Sequence, residues 1–192
     1  MSKSEQTRKL VVMALLVAVS VVLIYAIRFP LVPAAAFLEY DPADIPILIG
    51  ALAYGPVAGV MLTVIASIIQ GVTVSAGSGL YGIVMHIIAT STLVIVAGSI
   101  YKVRRTKSGA ILALVCGTLS MGLIMMPANH FITPMFTGWP TAAVDALLLP
   151  GILPFNLIKA GINSVVTFLV YKTVSRYVIH GEGWHGKKSA EA

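Results

Sequence analysis

The sequence predicts an all-α integral membrane protein, a bundle of six transmembrane helices, and three observations carry that expectation. Of 192 residues, 58% are hydrophobic and only 10% charged, against roughly 25% charged in an ordinary soluble domain. Apolar stretches long enough for a hydrocarbon core of about 30 Å recur along the chain, separated by polar or Gly/Pro-rich breaks. The bases cluster in three short regions, as expected of loops kept on the cytoplasmic side.

The first apolar stretch, Leu10 to Phe29, holds one charge, Arg28. It exceeds the roughly 7–15 apolar residues of a secretory signal and is expected to be a retained spanning helix. Further helices are expected at 44–54, 56–72, 80–101, 109–134 and 154–177. Tyr54-Gly55-Pro56 separates the second from the third, with Pro56 suited to a first helical turn. The segments 30–43 and 135–153, rich in Pro, Gly and aromatics, read as long loops able to act as lids, and 73–79 as a short turn.

Orientation follows from the bases. Lys3, Arg8 and Lys9 precede the first helix, Lys102, Arg104, Arg105 and Lys107 join the fourth to the fifth, and Lys172, Arg176, Lys187 and Lys188 close the chain. With six spans all three regions fall on one side, giving an N-in, C-in topology. The expected layout is a cytoplasmic N-terminus over 1–9, a membrane domain over 10–178 and a cytoplasmic tail over 179–192. The bases behind the net charge of +6 are too few and too embedded in apolar sequence for a nucleic-acid surface. Cys116, the single cysteine, sits in an apolar run and reads as core filler, with no disulfide or thiol metal site to be written.

Polar side chains within membrane helices are costly and mark functional positions by default. Asn156, Lys159 and Asn163 are spaced i, i+3, i+7 and share one face of the last helix. At about 1.5 Å per residue from Pro154, Lys159 lies roughly 8 Å down that helix, near its outer end. A lysine there can snorkel to headgroups, but two carboxamides on the same stripe favour a ligand-facing cluster. Asn129 and His130 follow Pro127 near the outer end of the fifth helix, where a carboxamide offers donor and acceptor to a heterocycle edge.

In the first outer loop, Glu39 is placed to accept from a ligand hydroxyl or to pair with Lys159. Asp41 and Asp44 are placed to cap the second helix. Gln70 and His86 read as interhelical hydrogen-bonding residues, and Ala14 with Ala18 as a small-residue face permitting close helix approach. His180, Trp184 and His185 read as solvated tail residues.

No G-x-S-x-G, H-E-x-x-H or G-x-x-x-x-G-K-[ST] motif and no inverted repeat occurs. Catalytic residues and metal ligands are therefore not expected, and uphill transport would need an external energy source.

Three motifs carry a resemblance: Phe37-Leu38-Glu39-Tyr40-Asp41-Pro42-Ala43-Asp44-Ile45-Pro46, Tyr54-Gly55-Pro56-Val57-Ala58-Gly59, and Pro154-Phe155-Asn156-Leu157-Ile158-Lys159. Their order and spacing resemble the substrate-binding S components of energy-coupling factor (ECF) vitamin transporters, in the riboflavin branch, over about residues 8–178. The resemblance implies a multi-pass subunit of the cell membrane that binds riboflavin as transported ligand, without a cofactor. Its implied partners are the lipid bilayer, a transmembrane coupling subunit and two cytosolic ATPases, and it topples in the bilayer as they cycle. Carried over, Asn156 and Lys159 match flavin-bonding positions, with Glu39 and Asn129 contributing. Leu38, Tyr40 and Asn163 complete the implied substrate-binding set, and Ala14 and Ala18 match the face that meets the coupling subunit. His86 stands where many members have an Asn.

Three alternatives remain open at this point. The same fold can serve FMN, thiamine or pantothenate; a histidine can act as base in an intramembrane enzyme; Glu39 or Asp44 can carry protons in a secondary transporter.

Overall fold

The computed structural model describes residues 3–35 and 37–174. The tail expected over 179–192, with its histidines and terminal lysines, and Arg176 lie outside the described residues.

Helix α1 runs Lys3–Ala26, shorter at its end than expected, because the chain bends at Ile27 and Arg28 toward Pro30. A residue before proline is pushed out of helical geometry, so Phe29 extends instead. Phe29–Pro30 (β1) and Glu39–Tyr40 (β2) form an antiparallel ladder that sets Phe29 opposite Tyr40 and Pro30 opposite Glu39. This small ladder, and a 3₁₀ turn at Pro33–Ala35, are the non-α structure in a segment expected to be plain loop.

Two short apolar helices follow, α2 at Asp44–Tyr54 and α3 at Pro56–Val72. Gly55 joins them at φ +92°, a conformation that only glycine adopts cheaply, and Pro56 opens α3 with its φ already set. After a 3₁₀ turn at Ala76–Ser78 come α4, Gly79–Val103, and α5, Lys107–Thr137. Thr106 starts α5 by accepting the Gly109 N–H on its side chain, an N-cap. Helix α5 continues through both Pro127 and Pro134 and ends at Gly138, φ +70°, in the left-handed geometry of a helix C′ position.

The segment 135–153, expected as a long loop, is largely helical. Thr141–Leu147 forms α6, Leu148–Ile152 a π-helical turn, and Leu153–Val174 forms α7. Pro140 precedes a run of helix formers in Thr141–Leu147, and Val144 is anchored in the interior.

Four stretches, Lys3–Ala26, Ala76–Val103, Lys107–Thr137 and Thr141–Val174, are long and apolar enough to cross a membrane, at mean hydropathy 1.6 to 2.6. The interior is filled by Ile47, Leu48, Leu62, Leu93, Val94 and Met121. The exterior is apolar too: Val57, Leu123 and Leu169 are each more than 60% exposed, which suits lipid and not water.

The two ends of the bundle differ. At one, Lys9 lies over the Tyr54 ring at 5.4 Å and the Tyr101 and Tyr171 rings meet edge to face at 5.7 Å. The basic α4–α5 connection and Lys172 belong to this end. The other end holds the β1–β2 ladder, the last turns of α1 and α3, and the first turns of α4 and α7, and between them lies a cavity.

Candidate ligand-binding site

The cavity wall comes from segments far apart in sequence: Arg28 and residues 37–39 and 41, then α3, α4, α5 and the start of α7. Apolar surface is supplied by Ile24, Phe37, Leu38, Met85, Met121 and Phe155, and polar groups by Arg28, Glu39, Asp41, Gln70, His86, Asn156 and Lys159. Mostly apolar walls with a few placed polar groups are the usual chemistry of a small-molecule site.

A buried charge survives only with partners, and Lys159 has them. Its Nζ donates to Asp41 Oδ2 at 2.6 Å. Asp41 Oδ1 accepts the Ala43 N–H at 3.0 Å, and the Asp41 carbonyl accepts from Asn163 Nδ2 at 3.2 Å. The same Asn163 amide donates to Asp44 Oδ2 at 3.2 Å, while its Oδ1 accepts from the Tyr40 hydroxyl at 3.0 Å.

The network continues inward. Asp44 Oδ1 accepts from Thr90 Oγ1 at 2.7 Å and lies 3.3 Å from His86 Nε2. His86 Nδ1 in turn meets Ser67 Oγ at 2.7 Å. One chain of contacts thereby joins the first loop, α7, α2, α4 and α3. At the cavity edge Arg28 pairs with Glu39 and donates from Nη1 to the Val74 carbonyl at 2.7 Å.

Of the residues expected from the sequence, Leu38, Glu39, Asn156 and Lys159 line the cavity. Asn156 Nδ2 donates to the Ile152 carbonyl at 2.8 Å. Tyr40 and Asn163 stand behind the wall and hold Asp41 and Asp44 in place. Asn129 is buried but outside the cavity lining: its Nδ2 donates to the Met125 carbonyl at 2.8 Å and its Oδ1 accepts from Thr133 at 2.9 Å. His130 instead contacts Asp145 at 2.6 Å, joining α5 to α6.

Two pairings depart from expectation. Lys159 takes Asp41 as its partner, and Glu39 takes Arg28, because the ladder register sets Glu39 beside the chain leaving α1. Asp41 and Asp44 do not cap α2, whose N-cap is Ala43 without a side-chain bond. Their carboxylates face α7 and α4 instead. Ala14 and Ala18 are exposed, on the side of α1 away from its buried Met13, Leu16, Val17 and Ser20.

Arg28, Asp41, Gln70 and His86 are cavity residues that sequence reasoning did not place there. A signal for Gln70 was present: Thr63, Ser67, Gln70 and Gly71 recur at i, i+4, i+7, i+8 and are all buried, a small and polar stripe on one face of α3.

Known proteins resemble this chain along most of its length. The riboflavin transporter FmnP of Bacillus subtilis (strain 168) is 29% identical over 174 residues, 86% of this chain and 91% of that protein. The riboflavin transporters RibU of Staphylococcus aureus (strain TCH60) and Streptococcus thermophilus (strain ATCC BAA-250 / LMG 18311) are 26% and 29% identical over 91% and 90% of this chain, and 94% and 85% of their own. The solved structure of the S component of a bacterial ECF transporter matches the fold with a TM-score of 0.79 at 26% identity, covering 90% of this chain and 98% of that one. The family model for the substrate-specific component of ECF transporters matches residues 8–171, and the chain belongs to that family.

Proposed function

We propose that this protein is the riboflavin-binding S component of an ATP-driven ECF importer, a multi-pass subunit of the cell membrane. The substrate assignment rests on the three similar riboflavin transporters and on the cavity's chemistry. A flavin ring offers two broad apolar faces and an edge of carbonyl and N–H groups. Phe37, Leu38, Met121 and Phe155 suit the faces, and the Lys159 ammonium and Asn156 amide suit the edge. The observation that carries most weight is this pairing of apolar walls with a buried, partnered lysine. Riboflavin is cargo here, and no bond is made or broken.

In this reading α1, α2, α3, α4, α5 and α7 are the six spans. Helix α2, at 11 residues, is roughly 16 Å long and would cover about half the core. Residues 40–43 extend the crossing as buried non-helical chain, which is tolerated at membrane depth only inside protein. The basic end faces the cytoplasm, both termini lie there, and the cavity opens outward. The exposed Ala14 and Ala18 meet the coupling subunit, which carries two cytosolic ATPases and supplies the energy that no motif in this chain provides.

The proposal is tested by the absorbance spectrum of protein purified in detergent from cells grown with riboflavin. Copurifying flavin in near one-to-one ratio supports it. A protein that carries no flavin and takes none up when soaked with it refutes the substrate.

A further inference from the structure

Two cavity-lining side chains, Gln70 and His86, keep a buried nitrogen without a hydrogen-bond partner among the described residues, and that of His86 lies 3.3 Å from Asp44 Oδ1. Gln70 lies near the end of α3 and is 4% exposed, and the unpartnered atom is its amide Nε2. Its neighbours are held: Lys159 by Asp41, His86 Nδ1 by Ser67, Arg28 by Glu39. Closing α3 does not require the Gln70 amide either, since the Gln70 backbone carbonyl alone accepts from the N–H groups of Thr73 and Ser75.

A buried amide N–H without a partner destabilises the fold that contains it, and native proteins keep such groups rare. A methionine of the same length would fill the space without that penalty. The carboxamide gains a role once an acceptor atom enters the cavity beside it.

We infer that Gln70 is a ligand-contacting residue, donating from Nε2 to a carbonyl, ring-nitrogen or hydroxyl acceptor of the bound solute. Resting on the riboflavin reading, this adds α3 to the loop and α7 as a third element that recognises the ligand. Gln70 weakens the empty protein and strengthens the filled one, the opposite of an interhelical hydrogen bond.

Gln70→Met in the full chain tests this by two measurements. In ligand-free protein, the melting temperature is expected to equal or exceed that of the unaltered protein. In riboflavin titrations, affinity is expected to fall roughly tenfold or more, the loss of one hydrogen bond to a buried amide. Unchanged affinity would overturn the inference. So would a ligand-free variant that melts lower or fails to fold, because the amide would then be structural. Should the unaltered protein bind no riboflavin, the flavin reading falls, while the ligand-free melting comparison still judges Gln70.

Discussion

Lys159 and Asp41, 118 positions apart in sequence, meet at 2.6 Å with both side chains buried. The pair fastens the first loop to α7 and holds the ammonium at the cavity wall, where a lysine free to snorkel would leave it for the headgroups. An ammonium has three donors, so Lys159 can bond Asp41 and still offer a proton to a ligand.

Lys159→Met strands the Asp41 carboxylate in the interior, and breaking a buried pair in this way costs about 3 kcal/mol or more. A large drop in melting temperature and loss of riboflavin binding are expected together. Adding Asp41→Asn is expected to restore much of the melting temperature but not the binding. A single variant as stable as the unaltered protein would show that the pair does not form.

Asn156→Ala is expected to behave differently, because among the described residues Nδ2 of Asn156 donates to the carbonyl one turn back along its own helix and to no other element. The fold should persist while riboflavin affinity falls by about 1–3 kcal/mol, measured by calorimetric titration. Affinity equal to that of the unaltered protein would remove Asn156 from the site.

Among the described residues, Arg28 is the guanidinium that lines the cavity, and Glu39 neutralises it. A phosphate on the ligand would have to compete with that carboxylate for the arginine. Glu39→Gln is therefore expected to raise FMN affinity relative to riboflavin severalfold by freeing a phosphate-binding group. Adding Arg28→Gln should cancel the gain. An unaltered FMN-to-riboflavin ratio in Glu39→Gln would show that the ion pair plays no part in selectivity.

Ala14→Trp and Ala18→Trp place bulk on an exposed face of α1 and should leave riboflavin affinity intact while blocking uptake by cells that carry the coupling subunit and ATPases. Uptake at the unaltered rate in both variants would move the coupling interface elsewhere.

The parts of the site legible in the sequence were those fixed by spacing within one helix. Asn156, Lys159 and Asn163 share a face whatever surrounds α7, and the structure buries all three. Contacts that depend on how a helix is turned about its axis were not legible. Asn129 was expected at the cavity and lies outside its lining, whereas Gln70 was expected to bridge helices and lines the cavity with its Nε2 unpartnered among the described residues. The partner of Lys159 was misread because Glu39 and Asp41 are two residues apart, and the β1–β2 register decides which of them meets Arg28. Helix α6 was hidden because the prolines and glycines around Thr141–Leu147 outweighed its own helix formers.

The most direct test of the central claim is titration of ligand-free protein with riboflavin, followed by quenching of flavin fluorescence, beside a parallel titration with thiamine. The account predicts saturable one-to-one riboflavin binding, weakened in Asn156→Ala, and no competition by thiamine. Thiamine binding in the absence of any riboflavin response would contradict it.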